Sequence, residues 1–270
     1  MRAAKAVAEK FGEEKGVWEK IEVEVNGRKH ILRHRNIVEA AEELLISNPV
    51  RMERGNHGTG TFADAPIGAI MMWSDKTNAD HHGKQPVHAV IISLGNIALK
   101  DRHKPTSRRT IAYLPTFSGS SSSSSSSCTT THKVAVFHAC FHIILQPVLS
   151  QIPIGRYLPV FFHQRDHFLL ASLVADWQEA GYLCGVKSTW AAKRCCVFCL
   201  LPSGEFASED SREGMKRTAD LMKPLVRKVQ SLLLSGERGA KGKAAKIAGS
   251  LYPGTTLFGT FRISMFSPVV

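Results

Sequence analysis

The residues of this 270-residue chain best suited to chemistry are three acids and a knot of cysteines. Asp75 follows the apolar run from Ala65 to Trp73, and a carboxylate at the mouth of a buried strand is costly unless it binds a metal or caps a turn. Both roles stay open for it: metal ligand, or cap of the turn Ser74–Thr77. Asp176 and Glu179, three apart, would share one face of a helix and could aim into one cleft, or could simply open a helix as an acidic pair. Cys196 and Cys199 are separated by two residues, the gap that lets two sulfurs reach one Zn²⁺ across a tight turn. Cys195 or Cys184 could add a third ligand. Unliganded buried thiols are an alternative, and a redox pair would need the motif at a helix start after a parallel strand.

A basic loop stands close to Asp75 in sequence. Lys100, Arg102, Lys104, Arg108 and Arg109 fall within ten residues, enough to grip a phosphate backbone, although such runs are also ordinary solvated surface. His81, His82 and His88 lack the fixed spacing of a metal site and read as an exposed turn.

The elements that must position these groups follow from periodicity. Ile21 to Val25 alternates, meets Asn26-Gly27 and resumes to Leu32, which predicts a β-hairpin. Asn36 can cap a helix whose Ile37, Val38, Ala41, Leu44 and Leu45 share a face, with Asn48-Pro49 as its stop. Three apolar runs, Ala65 to Asp75, Val87 to Asn96 and Thr110 to Pro115, have strand length. Ser120 to Ser127 is an unbroken serine tract inside an insert, 118–131, that is expected to be disordered. Val134, Phe137, Cys140, Phe141, Ile144, Leu145 and Val148 then predict a buried helix, interrupted near its end by Pro147. Arg156 to Phe162 reads as a strand, and Phe168 to Trp177 as strand or helix. Ser208 to Leu234 reads as a long basic helix, acidic at its start.

Strand, strand, strand, then helix is the opening of a ribonuclease-H-like layer, in which the first-strand acid ligates metal. The expected fold is therefore mixed α/β: a ribonuclease-H-like mixed sheet with flanking helices, the serine insert and a small zinc-binding insert. The segments are a tail at 1–16, a hairpin and helix region at 17–64, a partial core at 65–180, a zinc-knuckle insert at 181–207 and a basic helical region at 208–270.

Composition narrows the partners. With 35 Lys+Arg against 23 Asp+Glu the net charge is +12, which favours polyanions, and 43% hydrophobic residues can build a core. Six cysteines, three of them clustered, suit a reducing compartment and a metal site better than a disulfide framework. The acidic, non-apolar N-terminus predicts no targeting peptide, and no apolar run reaches the ~18 residues of a membrane span. A nuclear or cytoplasmic location is expected.

These motifs, in this order, resemble the Plavaka-type transposases of the Kyakuja–Dileera–Zisupton superfamily of eukaryotic DNA transposons. The resemblance rests on Ser74-Asp75-Lys76-Thr77, on Val87 to Ile97 ending Leu-Gly-Asn-Ile, and on Arg102, Lys104-Pro105 and Arg108 before Ala112-Tyr113-Leu114-Pro115. It continues through Phe137-His138, Ile144-Leu145-Gln146-Pro147, Val174-Ala175-Asp176 with Glu179-Ala180, and Cys196-x-x-Cys199-Leu200. It implies a core that cuts and rejoins transposon ends with Mg²⁺ or Mn²⁺. Asp75 would be the first catalytic carboxylate and Asp176 a further one, the Cys pair would hold Zn²⁺, and DNA would be the partner.

Three departures qualify what it implies. Val160-Phe161 stands where many relatives have Asp-Gly, the serine tract replaces a charged segment, and Phe258 to Val270 stops before a Pro-Asp-x-x-His motif. The chain is thus expected to be an N-terminal and central fragment lacking an essential carboxylate. A non-enzymatic, zinc-stabilised nucleic-acid-binding module and a decayed transposon relic are the alternatives.

Overall fold

The computed structural model describes residues 17–48, 67–78, 86–117, 130–151, 156–157, 165–186, 196–197 and 199–205, with 224, 227–228 and 231. The serine tract, Cys195, most of the expected long helix and the C-terminal run from Leu251 lie outside the described residues.

Strand β1 (Glu19–Val25) and β2 (Arg28–His34) form the expected hairpin. Asn26 and Gly27 both take positive φ, 51° and 73°, as the tight two-residue turn that matches strand twist requires. Helix α1 (Ile37–Ser47) starts where Asn36 Oδ1 accepts a hydrogen bond from the Val38 amide at 2.9 Å. Its Ile37, Val38, Ala40, Ala41, Leu44 and Leu45 are buried, and it meets β4 (Pro86–Leu94) and β5 (Arg109–Leu114).

The sheet order is β1-β2-β5-β4-β3-β7-β6, with β3 at Ile67–Asn78, β6 at Arg156–Tyr157 and β7 at Arg165–Ala175. Neighbours pair antiparallel throughout except β3 with β7, which run parallel. A parallel pair needs a crossover, and helix α2 (Thr130–Gln151) lies in that connection. Central strand β4 is buried on both faces, with Val90, Ile92 and Leu94 on one and Ala89 and Ser93 on the other. Phe168–Trp177, undecided between strand and helix in sequence, is resolved by pairing: β7 runs to Ala175, and helix α3 (Trp177–Leu183) begins after Asp176. Of the strand expected at Arg156 to Phe162, the described part is the short β6.

Helix α2 buries Val134, Val136, Phe137, Cys140, Phe141, Ile144, Leu145 and Val148. Its stretch Thr130–Ser150 is long and apolar enough to cross a membrane, with mean hydropathy 1.4, contrary to the expectation of no such run. Lys133, His138, His142 and Gln146 interrupt it, so it holds no unbroken apolar run of that length. Half of the stretch is buried inside the protein, as in a core helix.

The chain divides into two compact units. One comprises residues up to Ser118 with Cys140–Ala175, the other Gly119–Ala139 with the residues from Asp176 onward. In the second, Val186 and Val197 are fully buried, with Ala180, Cys184 and Leu200 packed against them. His138 Nε2 donates to the Tyr182 carbonyl at 2.6 Å, and the Phe137 and Tyr182 rings meet edge to face at 6.2 Å.

Candidate functional site

Asp75 lies inside β3, not at its mouth and not in a turn: it stands opposite Ala89 of β4, and the strand continues to Asn78. Pairing with β4 holds Ser74 to Thr77 extended. Along β3, Ile70, Met72 and Ser74 are buried while Met71 and Trp73 are half-buried and Asp75 is exposed. The two-residue period thus puts Asp75 on the more open face. Ser74, on the other face, bonds its Oγ to His88 Nε2 at 2.9 Å across the β3–β4 ladder, and His88 lies in the strand expected from Val87 to Asn96.

The start of β3 is fixed by a side chain. Asn96 Oδ1 accepts the Ala69 amide at 2.8 Å and its Nδ2 donates to the Ile67 carbonyl at 3.0 Å, while the Gly95 amide donates to the Ala69 carbonyl. The Leu-Gly-Asn-Ile motif therefore extends the β3–β4 ladder with an amide side chain standing in for backbone.

On the other side of β3, the parallel register places Ser74 opposite Ala175 of β7. The residue after Ala175 is Asp176, extended and exposed, whose Oδ1 accepts the Glu179 amide at 2.7 Å as the cap of α3. Its carboxylate has a second oxygen. Glu179, one turn on, is buried, so these two acids, expected to share a face, stand in different surroundings.

The five basic residues divide by role. Arg102 is turned inward, donating from Nε to the Ile97 carbonyl at 2.7 Å and from Nη2 to the Gly95 carbonyl at 2.6 Å. Arg109 bonds Glu43 at 3.2 Å, Ser47 and two loop carbonyls. Arg108 donates from Nε to the Arg102 carbonyl at 3.3 Å. Ser107 is buried, and its Oγ lies 2.8 Å from both Asn48 Oδ1 and the Asp101 carbonyl oxygen, tying the loop to the end of α1. Lys100 is exposed, and so is Lys104, which pairs with Asp101 and holds that carboxyl below its ordinary range. The run reads as one charge patch in sequence, yet three of its guanidinium groups are bound to the fold. Sequence patterns register charge, not the carbonyls that a long side chain finds.

Cys184, Cys196 and Cys199 are each partly buried, and Cys195 lies outside the described residues. Among the described residues no three His, Cys, Asp or Glu side chains gather so as to hold a metal. The described thiols therefore do not complete a four-ligand zinc site by themselves. Asp75, in the first unit, and Asp176, in the second, are each exposed carboxylates, the oxygen type that hard cations prefer.

Burial shapes two titratable side chains of α2. His138 is buried, and burial pushes its pKa down against the opposing pull of its bond to Tyr182. Burial likewise pushes the Cys140 thiol up to about 12.

A search among curated proteins finds no match to the chain. A family model described as Plavaka transposase matches residues 56–266, a span that takes in Asp75, the basic loop, Asp176 and the cysteines. The chain belongs to the Plavaka transposase family.

Proposed function

We propose that the chain carries the metal-binding part of a DNA strand-cleaving and strand-transferring core, with Asp75 and Asp176 as its carboxylates. Membership in a transposase family implies DNA as the partner in general; transposon ends are the specific DNA proposed. The observation that supports the reading is the parallel register of β3 and β7. Ser74 pairs with Ala175, the last residue of β7, so Asp75 follows directly on the strand beside which β7 ends. Three antiparallel strands, a helix, and a strand returning parallel beside the first support a ribonuclease-H-like reading of the layer.

The divalent metal, when bound, would activate an attacking oxygen and neutralise charge at the phosphate. The protein's own part is to present carboxylate oxygens. Asp75 would be held by the ladder to Ala89, and Asp176 by its bond to the Glu179 amide, which fixes one oxygen and leaves the other for a cation. Lys100 and Lys104 would supply sequence-independent contacts to phosphate.

Binding of Mn²⁺ to the purified chain, followed by its paramagnetic resonance signal with and without duplex DNA, tests the reading. Asp75→Asn and Asp176→Asn should each weaken binding by more than roughly tenfold, the loss that even an outer-shell substitution can bring. Unchanged Mn²⁺ affinity in the double variant, with the fold intact by circular dichroism, would sink it.

A further inference from the structure

Strand β1 forms one border of the seven-stranded sheet, and among the described residues no strand pairs with its outer edge. We propose that this edge joins two copies of the chain as a symmetric dimer, β1 running antiparallel to β1 about a two-fold axis at Ile21. The inference is independent of the carboxylate reading.

Three observations carry it. The first is the direction of the backbone groups. Across a two-residue turn the flanking pair, here Val25 and Arg28, exchanges hydrogen bonds, so by alternation Ile21, Val23 and Val25 turn their peptide groups toward β2. Lys20, Glu22 and Glu24 therefore turn theirs outward, where a further strand can bond them.

The second is charge. Acids and lysines on an edge strand ordinarily deter pairing, and β1 carries Glu19, Lys20, Glu22 and Glu24. Residues directly opposite one another must share a face of the joined sheet, which leaves few symmetric alignments. An axis at Lys20 sets that lysine against itself, and an axis at Glu22 or Glu24 does the same to a glutamate. An axis at Val23 opposes Glu22 with Glu24. An axis at Ile21 opposes Lys20 with Glu22 on both sides of the two-fold, and Glu19 with Val23, so no like charges meet.

The third is what the hairpin leaves unmatched within one copy. Lys20 stands opposite Arg33, a like-charge pair, and among the described residues neither is paired with an acid. Glu22 takes Lys29 at 2.9 Å through Oε2 alone, which leaves its other oxygen for Lys20 of the second copy. Val17, 75% exposed, falls opposite the half-buried Val25 in the same alignment, and Ile21 falls opposite itself, so apolar side chains gain cover where the charges are matched.

Sedimentation velocity over a range of concentrations tests the proposal, comparing the full chain with Lys20→Glu, with Glu22→Lys and with an equimolar mixture of the two variants. The unaltered chain should show a concentration-dependent dimer, and each variant alone should self-associate at least about tenfold more weakly. The mixture should recover the dimer, because each reversed charge then meets its opposite across the axis. Circular dichroism checks that the variants fold; should one fail, Val17→Lys, just before the strand, should weaken the dimer in its place. A chain that stays monomeric at every concentration would overturn the proposal, as would folded variants that dimerise like the unaltered chain or a mixture of folded variants that does not re-form the dimer.

Discussion

Arg109, a member of the basic run, donates from Nε to Glu43 Oε2 at 3.2 Å, while the buried guanidinium of Arg35 bonds the other oxygen of the same carboxylate. One acid on α1 thus neutralises two arginines from different parts of the sheet. Removing Glu43 would leave Arg35, with its side chain 1% exposed, as an uncompensated buried charge. Glu43→Ala should destabilise the protein by about 3 kcal/mol, and Arg109→Ala by about 1–2 kcal/mol through lost charge-assisted bonds. Denaturant midpoints check both values, and a smaller loss for Glu43→Ala than for Arg109→Ala would contradict the shared-acid arrangement.

The basic loop makes opposite predictions for its two kinds of residue. Lys100→Ala and Lys104→Ala should each lower the slope of log affinity against log salt for duplex DNA by about one, with stability unchanged. Arg102→Ala, by contrast, should lower the unfolding midpoint, because its guanidinium holds the Gly95 and Ile97 carbonyls. Titrations of duplex affinity at several salt concentrations, run beside thermal melts, separate the two.

His138 links the fold to acidity. Burial lowers its folded pKa, so at mildly acid pH the unfolded chain takes up a proton that the folded chain refuses. Stability should therefore be full above the unfolded value near 6.5 and fall as pH drops below it, by up to about 1.4 kcal/mol per pH unit until the lowered folded pKa is reached. His167, also lowered by burial, adds the same sign. In His138→Gln the slope of stability against pH between about 6.5 and 5 should be shallower; an identical slope would assign the effect to other groups.

Cys140 should resist alkylation. Its thiol is buried and pushed up to about 12, leaving almost no thiolate at neutral pH. Mass spectrometry after iodoacetamide treatment should find Cys140 unmodified in the native protein and modified once denaturant is added. Rapid labelling under native conditions would show that α2 opens readily.

Asn36→Ala should cost about 1 kcal/mol, the usual loss when a capping side chain is removed. Asn36→Asp should retain most of the stability, since a carboxylate can accept the Val38 amide equally well, and chemical denaturation distinguishes the two variants.

The parts of the fold legible in the sequence are those decided within a few residues. Asn26-Gly27 specifies its turn by backbone conformation alone, and Asn36 caps its helix two residues away. The pairing of β3 with β7 spans about a hundred residues, and no local pattern in either strand announces it. For that reason Phe168 to Trp177 could not be divided between strand and helix, and Asp176 could be nominated only as one of two acids. Asp75 was legible as an acid at the end of an apolar run, but not as a residue inside a strand that continues to Asn78, because Lys76 and Thr77 look like loop until β4 pairs with them. The arginines of the basic loop were misleading for the same reason: their acceptors are carbonyls, which every residue has.

The Asn96 amide, set against Ile67 and Ala69, gives β3 a fixed origin from which the remainder of the strand is counted. Asp75 lies six positions beyond Ala69, and the count has a parity as well as a length. Deleting one residue between them would turn the acid toward the buried side and bring Lys76 into its place. Substitutions along this stretch change what the strand packs against; a change in the number of residues changes which charge each side of the sheet carries.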